Sequence, residues 1–236
     1  MSDQKKSAGD ADLAAGRLKS YGRRGGRALS HRQQQLLDIV LPRIRVPIGA
    51  DPLNPRDMFP EADKIWLEIG FGGGEHPVAQ AAGNPDAGLI ASEVFFEGIA
   101  KCLTAIEARK LENIRLWDED ARILLDAFEP ACIDRIFILF PDPWPKARHH
   151  KRRLVQPDFL DQLARVLRPG GTVRFATDVA DYAAEAEGHF GRHPRFERLI
   201  RRDGDARQVP PDHFQTRYET KQLGDIEPVF FDFVCV

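Results

Sequence analysis

Apolar residues gather in short runs that alternate with longer stretches at helical spacing. The clearest run, Ile136 to Phe140, is unbroken and rich in β-branched and aromatic residues, which fits a strand covered on both faces in the middle of a parallel sheet. Further runs predict strands at Lys64–Ile69, Gly88–Glu93, Ile114–Ala121, Thr172–Asp178 and Val229–Val236. Between them, Ile99, Cys102, Leu103 and Ile106 share one face of a helix over 97–110, and Phe159, Leu160, Leu163, Val166 and Leu167 one face of a helix over 157–167. Arg168-Pro-Gly-Gly171 stops the latter. On local pattern alone, Asp178 caps a helix over 179–189 and Ser30 a short one over His31–Val40. Five strand-then-helix units with acids at the strand ends predict an α/β fold with a doubly wound sheet.

Two breaks in this pattern carry chemistry. Lys64-Ile-Trp-Leu-Glu68-Ile-Gly70-Phe-Gly72-Gly73-Gly74-Glu75-His76 reads as strand, glycine turn and helix, where glycines admit close ligand approach and the helix start offers unpaired N–H groups. A dinucleotide fingerprint starting at Gly70 would need glycine where Glu75 stands, and one starting at Gly72 would need it where Pro77 stands, which disfavours NAD and FAD. Glu93 ends the next strand about 20 residues on, the offset at which a carboxylate meets a ribose diol. Asp120, after the third strand, is placed to face an adenine amino group, whereas Asp118 and Glu119 read as surface charge.

The second break follows Phe140. Pro141, Pro143 and Pro145 make a stiff, extended segment at the C-terminal end of the fourth strand, the end where open α/β sheets bind ligands, and they hold Asp142 and Trp144 there. Five Lys and Arg residues and two His then stand between Lys146 and Arg153 with no acid among them. A basic run alone is most simply a solvated face, but the preceding strand, prolines and tryptophan point to phosphate binding. Trp144 either stacks on an extruded base or packs against the sheet edge.

Composition narrows the rest. The 236 residues, 42% hydrophobic, suffice for one core, predicted over 31–236, with a basic, disordered extension over 1–30. The net charge of −2 hides basic crowding at 17–32, 146–153 and 192–207 against acids over 107–129. Arg17 to Arg27 interleaves arginines with one tyrosine, which suits RNA contact or a solubilising tail equally. Three dispersed cysteines read as free thiols of a reducing compartment and not as a metal site. No apolar run reaches membrane-spanning length, so a cytoplasmic protein without metal or membrane partner is expected.

Leu67 to His76, Phe140-Pro-Asp-Pro-Trp-Pro-Lys146 with His149 to Arg153, Thr177-Asp178 and Thr216-Arg-Tyr-Glu219 together closely resemble the bacterial tRNA (guanine-N7-)-methyltransferases. The resemblance runs from about residue 20 to the C-terminus. It implies a Rossmann-like class I methyltransferase fold with a mostly parallel seven-stranded sheet, S-adenosylmethionine as cofactor, and tRNA as substrate, methylated on N7 of guanine 46 in the variable loop. Carried over by motif, it implies cofactor contacts at Glu68, Gly70, Gly72, Glu93, Asp120 and Asp142, catalysis by Asp142, and substrate contacts at Lys146, Asp178, Thr216, Arg217, Tyr218 and Glu219. A monomer is expected, a homodimer remaining open. The family pattern varies at Pro145 and Arg217. A nucleic-acid amino-methyltransferase is the nearest rival, although Asp142-Pro143-Trp144 has one proline between acid and aromatic where those enzymes have two. A non-catalytic RNA-binding protein on the same fold is the rival from another class, and a small-molecule methyltransferase would leave the basic cluster unexplained.

Overall fold

The computed structural model describes residues 28–200 and 206–236. The Arg17–Arg27 segment and most of the expected extension over 1–30 therefore lie outside the described residues. Strands β1 (Lys64–Ile69), β2 (Ala87–Ser92), β3 (Ile114–Trp117), β4 (Ile133–Leu139), β5 (Leu167–Thr177), β6 (Phe196–Leu199) and β7 (Val229–Cys235) form one sheet in the order β3-β2-β1-β4-β5-β7-β6. The first five are parallel, and β7 runs antiparallel between β5 and β6.

The unbroken apolar runs are explained by cover on both faces. Ile136 and Ile138 of β4 join one cluster with Phe159, Leu160 and Leu163, while Phe137 and Leu139 join the opposite one with Val78, Ile99 and Leu103. On the first face lie α5 (Ala121–Ala127), α6 (Pro157–Val166) and α7 (Ala180–Arg192); on the second lie α3 (Glu75–Gly83) and α4 (Phe96–Arg109). Among the described residues no helix lies on the second face towards β5 and β7. There Asp212 and His213 of the segment before β7 cover it, Asp212 pairing with Arg135 of β4 and Arg174 of β5, and His213 lying edge-on to Phe230 of β7.

Ser30 caps the first helix as expected, its Oγ accepting from the Gln33 N–H in a reciprocal capping box. That helix is interrupted, with α1 (His31–Gln35) and α2 (Leu41–Ile44) flanking a π-helical stretch over Leu36–Val40 that turns both Leu36 and Leu41 into the core. The Pro-Gly-Gly sequence is not a stop before β5. It is a bulge within the strand, since Ile133 pairs with Leu167 and Arg135 already with Thr172. Strand β6 escapes pattern reading because only Phe196 of its four residues is buried. Among the described residues no helix is long and apolar enough to cross a membrane.

Helix α4 reaches the glycine turn through Gly98, where an added Cβ would lie 2.0 Å from the Gly72 carbonyl oxygen, a backbone atom that cannot move aside alone. Gly98→Ala is expected to lower stability by about 1–3 kcal/mol, the cost of overpacking. Gly49→Ala, with nothing within 4 Å, should leave the urea midpoint unchanged.

Candidate active site

The strand order reverses between β1 and β4, and a cleft of about 850 Å³ opens beyond the C-terminal ends of these strands. Gly70, Gly72, Glu93, Asp120 and Asp142 all line it. Four elements from separate parts of the chain therefore deliver five of the expected site residues to one cavity.

Gly72 at φ +57° and Gly74 at φ +84° turn the chain back from β1 into α3 in a conformation that side chains resist. At Gly72 a Cβ would meet nothing within 4 Å, whereas at Gly74 it would strike the Cys102 side chain at 2.6 Å. The Glu93 carboxylate ties this turn down, accepting from Gly72 N–H at 2.7 Å, Val94 N–H at 2.7 Å and Phe95 N–H at 3.0 Å. Burial raises its pKa above the ordinary carboxylate value; the three N–H groups pull it down, and the charge of Asp142 adds to the rise. Three N–H partners also leave a carboxylate, with about four acceptor sites, capacity for a further donor.

Past β3, Asp120 caps α5 and grips Arg122, its Oδ1 accepting from both the backbone N–H and Nε at 2.9 Å and its Oδ2 from Nη2 at 2.6 Å. Asp118 and Glu119 are not loose surface charge. Arg45 spans them, with Nε 2.6 Å from Asp118 Oδ1 and Nη2 2.6 Å from Glu119 Oε1, and its guanidinium lies 4.3 Å from the Trp117 ring centre. No spacing rule connects Arg45 with acids more than 70 residues away.

Glu68 does not line the cleft. It is 2% exposed, and its Oε2 lies 2.6 Å from Nδ1 of fully buried His76, beneath the glycine turn.

The Asp142 loop departs from the extended form that its prolines suggest. Phe140 at φ +52° and Trp144 at φ +45° are both left-handed, and each such residue costs on the order of 1–3 kcal/mol. The strain has identifiable supports. Phe140 N–H bonds the Ala176 carbonyl at 2.8 Å, and its ring lies against Tyr218 and Phe230. Trp144 packs on the basic turn Ala147–Arg152, edge-on to His149 and 5.0 Å from the Arg152 guanidinium, and so neither stacks on the sheet edge nor stands alone. Asp142 itself sits at the cleft mouth, its carboxyl raised above the ordinary value by partial desolvation.

Arg153 corrects the reading of the basic cluster. Its side chain is fully buried: Nε donates to the Pro143 carbonyl at 2.8 Å, Nη2 to Asp181 at 2.6 Å and Nη1 to Glu185, over the Tyr182 ring. It holds the Asp181 carboxyl below its usual range and is unavailable to phosphate. Lys146, Arg148 and Lys151 are the exposed cations of the cluster.

The expected substrate contacts flank the cleft without lining it. Asp178 is buried and does not cap α7; Asp225 Oδ1 does, accepting from Ala180 N–H at 2.9 Å. Asp178 instead accepts from the Tyr218 hydroxyl at 3.4 Å, and its carbonyl from the N–H groups of Asp225 and Ile226. Burial, then the charge of Asp178, raises the Tyr218 hydroxyl. Thr216 and Glu219 bond each other reciprocally, Thr216 N–H to Oε2 at 2.7 Å and Glu219 N–H to Oγ1 at 3.3 Å. The Thr-x-x-Glu spacing is itself a capping-box signal, overlooked in the sequence because only the three-residue turn Glu219–Lys221 follows. Arg217 projects outward, 4.0 Å from Glu75 at the start of α3. Among the described residues, no group of His, Cys, Asp and Glu is placed to hold a metal ion.

Removing Arg153 would leave Asp181, Glu185 and the Pro143 carbonyl without their common donor. Arg153→Ala is expected to cost about 1.5–3 kcal/mol in urea unfolding, the range for a hydrogen bond to a charged group, since Asp181 is left with access to water. Arg153→Lys should recover only part, because one ammonium cannot serve three acceptors lying in different directions. Lys151→Ala should leave stability unchanged.

A methyltransferase family model, Methyltransf_4, matches residues 62–230. A tRNA (guanine-N(7)-)-methyltransferase of Hyphomonas neptunium is 53% identical over 216 residues, which span 92% of this chain and 99% of that protein. The enzyme of the same name from Rhodospirillum rubrum is 48% identical over 208 residues, spanning 86% and 82%. Among solved structures, the 16S rRNA (adenine(1408)-N(1))-methyltransferase of Catenulisporales acidiphilia superposes with a TM-score of 0.52 at 16% identity, covering 80% of this chain and 96% of that one. A variant of that protein with cosubstrate SAM gives 0.53 at 14% identity, covering 82% and 97%. These two share the fold. The strand-end side of the cleft, where Glu93, Glu119, Asp120 and Asp142 gather beside the open space at Gly70 and Gly72, fits a cationic nucleoside cofactor. With the family model and the relatives agreeing over most of the chain, the protein belongs to the S-adenosylmethionine-dependent tRNA (guanine-N7-)-methyltransferases.

Proposed function

We propose that this protein, as a single catalytic domain, methylates N7 of guanine 46 in the variable loop of tRNA. The observation that carries the reading is the placement of Asp142: a carboxylate on a strained, Arg153-anchored loop, at the seam between the strand-end acids of the cleft and an exposed basic turn. S-adenosylmethionine, when bound, supplies an electrophilic methyl group on a sulfonium sulfur. The turn Gly70 to Gly74 would support its methionine part and Glu93 its ribose. Asp120 would act at the adenine end as an ion pair with Arg122 and not as a lone carboxylate. Glu68 would contribute from below, by holding His76 under the turn.

Guanine N7 has an in-plane lone pair and no proton, so no side chain has to act as a base. Asp142 then works by position and charge. It accepts from the guanine N1–H and exocyclic amine together, and stabilises the positive charge that develops on the base. Adenine offers no such donor pair and would leave a carboxyl oxygen unpaired once the nucleotide covers it, a costly mismatch. Asp178 and Tyr218, bonded to each other beside this carboxylate, would form the wall against which the nucleotide rests. Arg217, Lys146, Arg148 and Lys151 would take phosphates, contributing affinity more than base choice. The same reading puts the enzyme in the cytoplasm with its substrate.

Nucleoside analysis of unmodified tRNA after incubation with methyl-labelled cofactor should give labelled 7-methylguanosine from the variable loop. Label on an exocyclic nitrogen would instead establish the amino-methyltransferase alternative. Asp142→Ala should lower single-turnover rate about 10²–10³-fold while tRNA still binds, as for loss of one transition-state partner. For the phosphate face, Lys146→Glu with Lys151→Glu should weaken tRNA binding and reduce its salt slope by about one unit per lost contact. An unchanged slope would remove this turn from the interface.

A further inference from the structure

Between Ala206 and β7 the chain crosses the part of the sheet over which none of the described residues forms a helix, and ends its crossing at the Thr216–Glu219 turn. Two adjacent residues fasten it. Asp212 is clamped by Arg135 and Arg174, each at 2.7 Å, and its carbonyl accepts from Gln80 Nε2 at 2.7 Å; burial opposes its ionisation, but the two guanidiniums hold the carboxyl down at about 2. His213, its side chain 1% exposed, places Nε2 2.9 Å from Glu219 Oε1, while Glu219 Oε2 is the atom that receives Thr216 N–H. One carboxylate thus joins a buried imidazole to the backbone of the turn that presents Arg217 and Tyr218.

The ring is fixed as well as its bond. His213 lies edge-on to Phe230 at 4.8 Å and beside the His76 ring at 5.5 Å, and His76 is itself held by Glu68 and lies 3.2 Å from Gln80 Nε2. Nδ1 of His213 is buried with no partner. A proton on Nε2 lets that nitrogen donate to Glu219 and leaves Nδ1 as the ring's one unpaired nitrogen. Burial would raise the Glu219 carboxyl, but the hydrogen bonds from His213 and the Thr216 backbone outweigh it and hold it below its ordinary value.

We propose that His213 is a positioning residue for tRNA: as an Nε2–H donor to Glu219 it locks the Thr216–Glu219 turn in the geometry that aims Tyr218 at Asp178 and Arg217 outward over the start of α3. The inference rests on the reading of that turn as a substrate contact. It gives Thr216 and Glu219 a structural role, leaving the contact itself to Arg217 and Tyr218. His213 does not line the cofactor cleft, and what it meets on that side is the His76 ring at 5.5 Å.

The test is steady-state kinetics of the full chain with tRNA, alongside cofactor titration and urea unfolding. His213→Ala should raise KM for tRNA about 10–100-fold, the loss of a buried hydrogen bond to a charged group, with cofactor Kd within about twofold of the parent. His213→Gln, whose amide nitrogen can take the Nε2 position, should recover KM to within about threefold, and His213→Asn, whose nitrogen matches Nδ1, should not. His213→Ala with KM unchanged, or Gln and Asn behaving alike, would overturn the proposal. Should His213→Ala not fold, the comparison of Gln with Asn decides alone. Arg217→Ala separates the two layers of inference: if it leaves tRNA KM unaltered the turn is not a substrate contact, whereas a raised KM beside a silent His213→Asn rejects the positioning role only.

Discussion

The buried Arg153 guanidinium is the interaction on which the site depends. It ties three parts of the chain: its own basic turn, the loop after β4 through the Pro143 carbonyl, and α7 through Asp181 and Glu185. Asp181 and Glu185 stand four apart on one helix, so both carboxylates face the same side and converge on one planar donor. It joins the other supports of the left-handed Phe140 and Trp144, which are the Ala176 carbonyl, the Tyr218 and Phe230 rings, and the basic turn under the indole. The strain is local, and its support comes from elsewhere in the fold.

A similar arrangement recurs around the cleft. Glu93 pulls the glycine turn against β2, Arg45 draws the two acids after β3 towards the N-terminal helical segment, and Asp225 supplies the helix cap that Asp178 does not. In each case the group nearest the cleft is held by a partner from a distant stretch of chain. Asp178 is thereby left to receive the Tyr218 hydroxyl. A rigid frame that leaves selected polar atoms available is what a site needs if it is to act by position and not by proton transfer.

The sheet was legible wherever its strands are covered on both faces, because cover on both faces writes an unbroken apolar run; β4 is the clearest case. Strand β6 was not, since one buried residue in four makes no pattern. Cavity-lining residues such as Gly72, Glu93 and Asp142 were legible because each lies at a strand end, a place that local periodicity marks. Arg153 was misread for a definite reason. Lys151-Arg152-Arg153 has uniform chemistry, and which of the three turns inward is decided by acids 28 and 32 residues further on. The supposed cap at Asp178 failed likewise, since the residue that takes the role lies 45 positions from the helix start.

The inward turn of Arg153 also sharpens the electrostatics of the mouth. The cleft is lined by Glu93, Glu119, Asp120, Asp142 and Asp158, with Arg122 bound to one of them and with Lys151, Arg152 and the buried Arg153 on its other side, while Lys146 and Arg148 stand outside it. The acids at the strand ends favour a cationic cofactor and the basic turn an anion, and Lys151 and Arg152 bring that basic turn to the edge of the cleft itself. Asp142 stands on that boundary with its carboxyl already raised by desolvation. In the proposed reading a base carrying a paired set of N–H donors would satisfy both oxygens of that carboxylate and one lacking them would not, so base selection would rest on the same group that favours the charge of the methylated product.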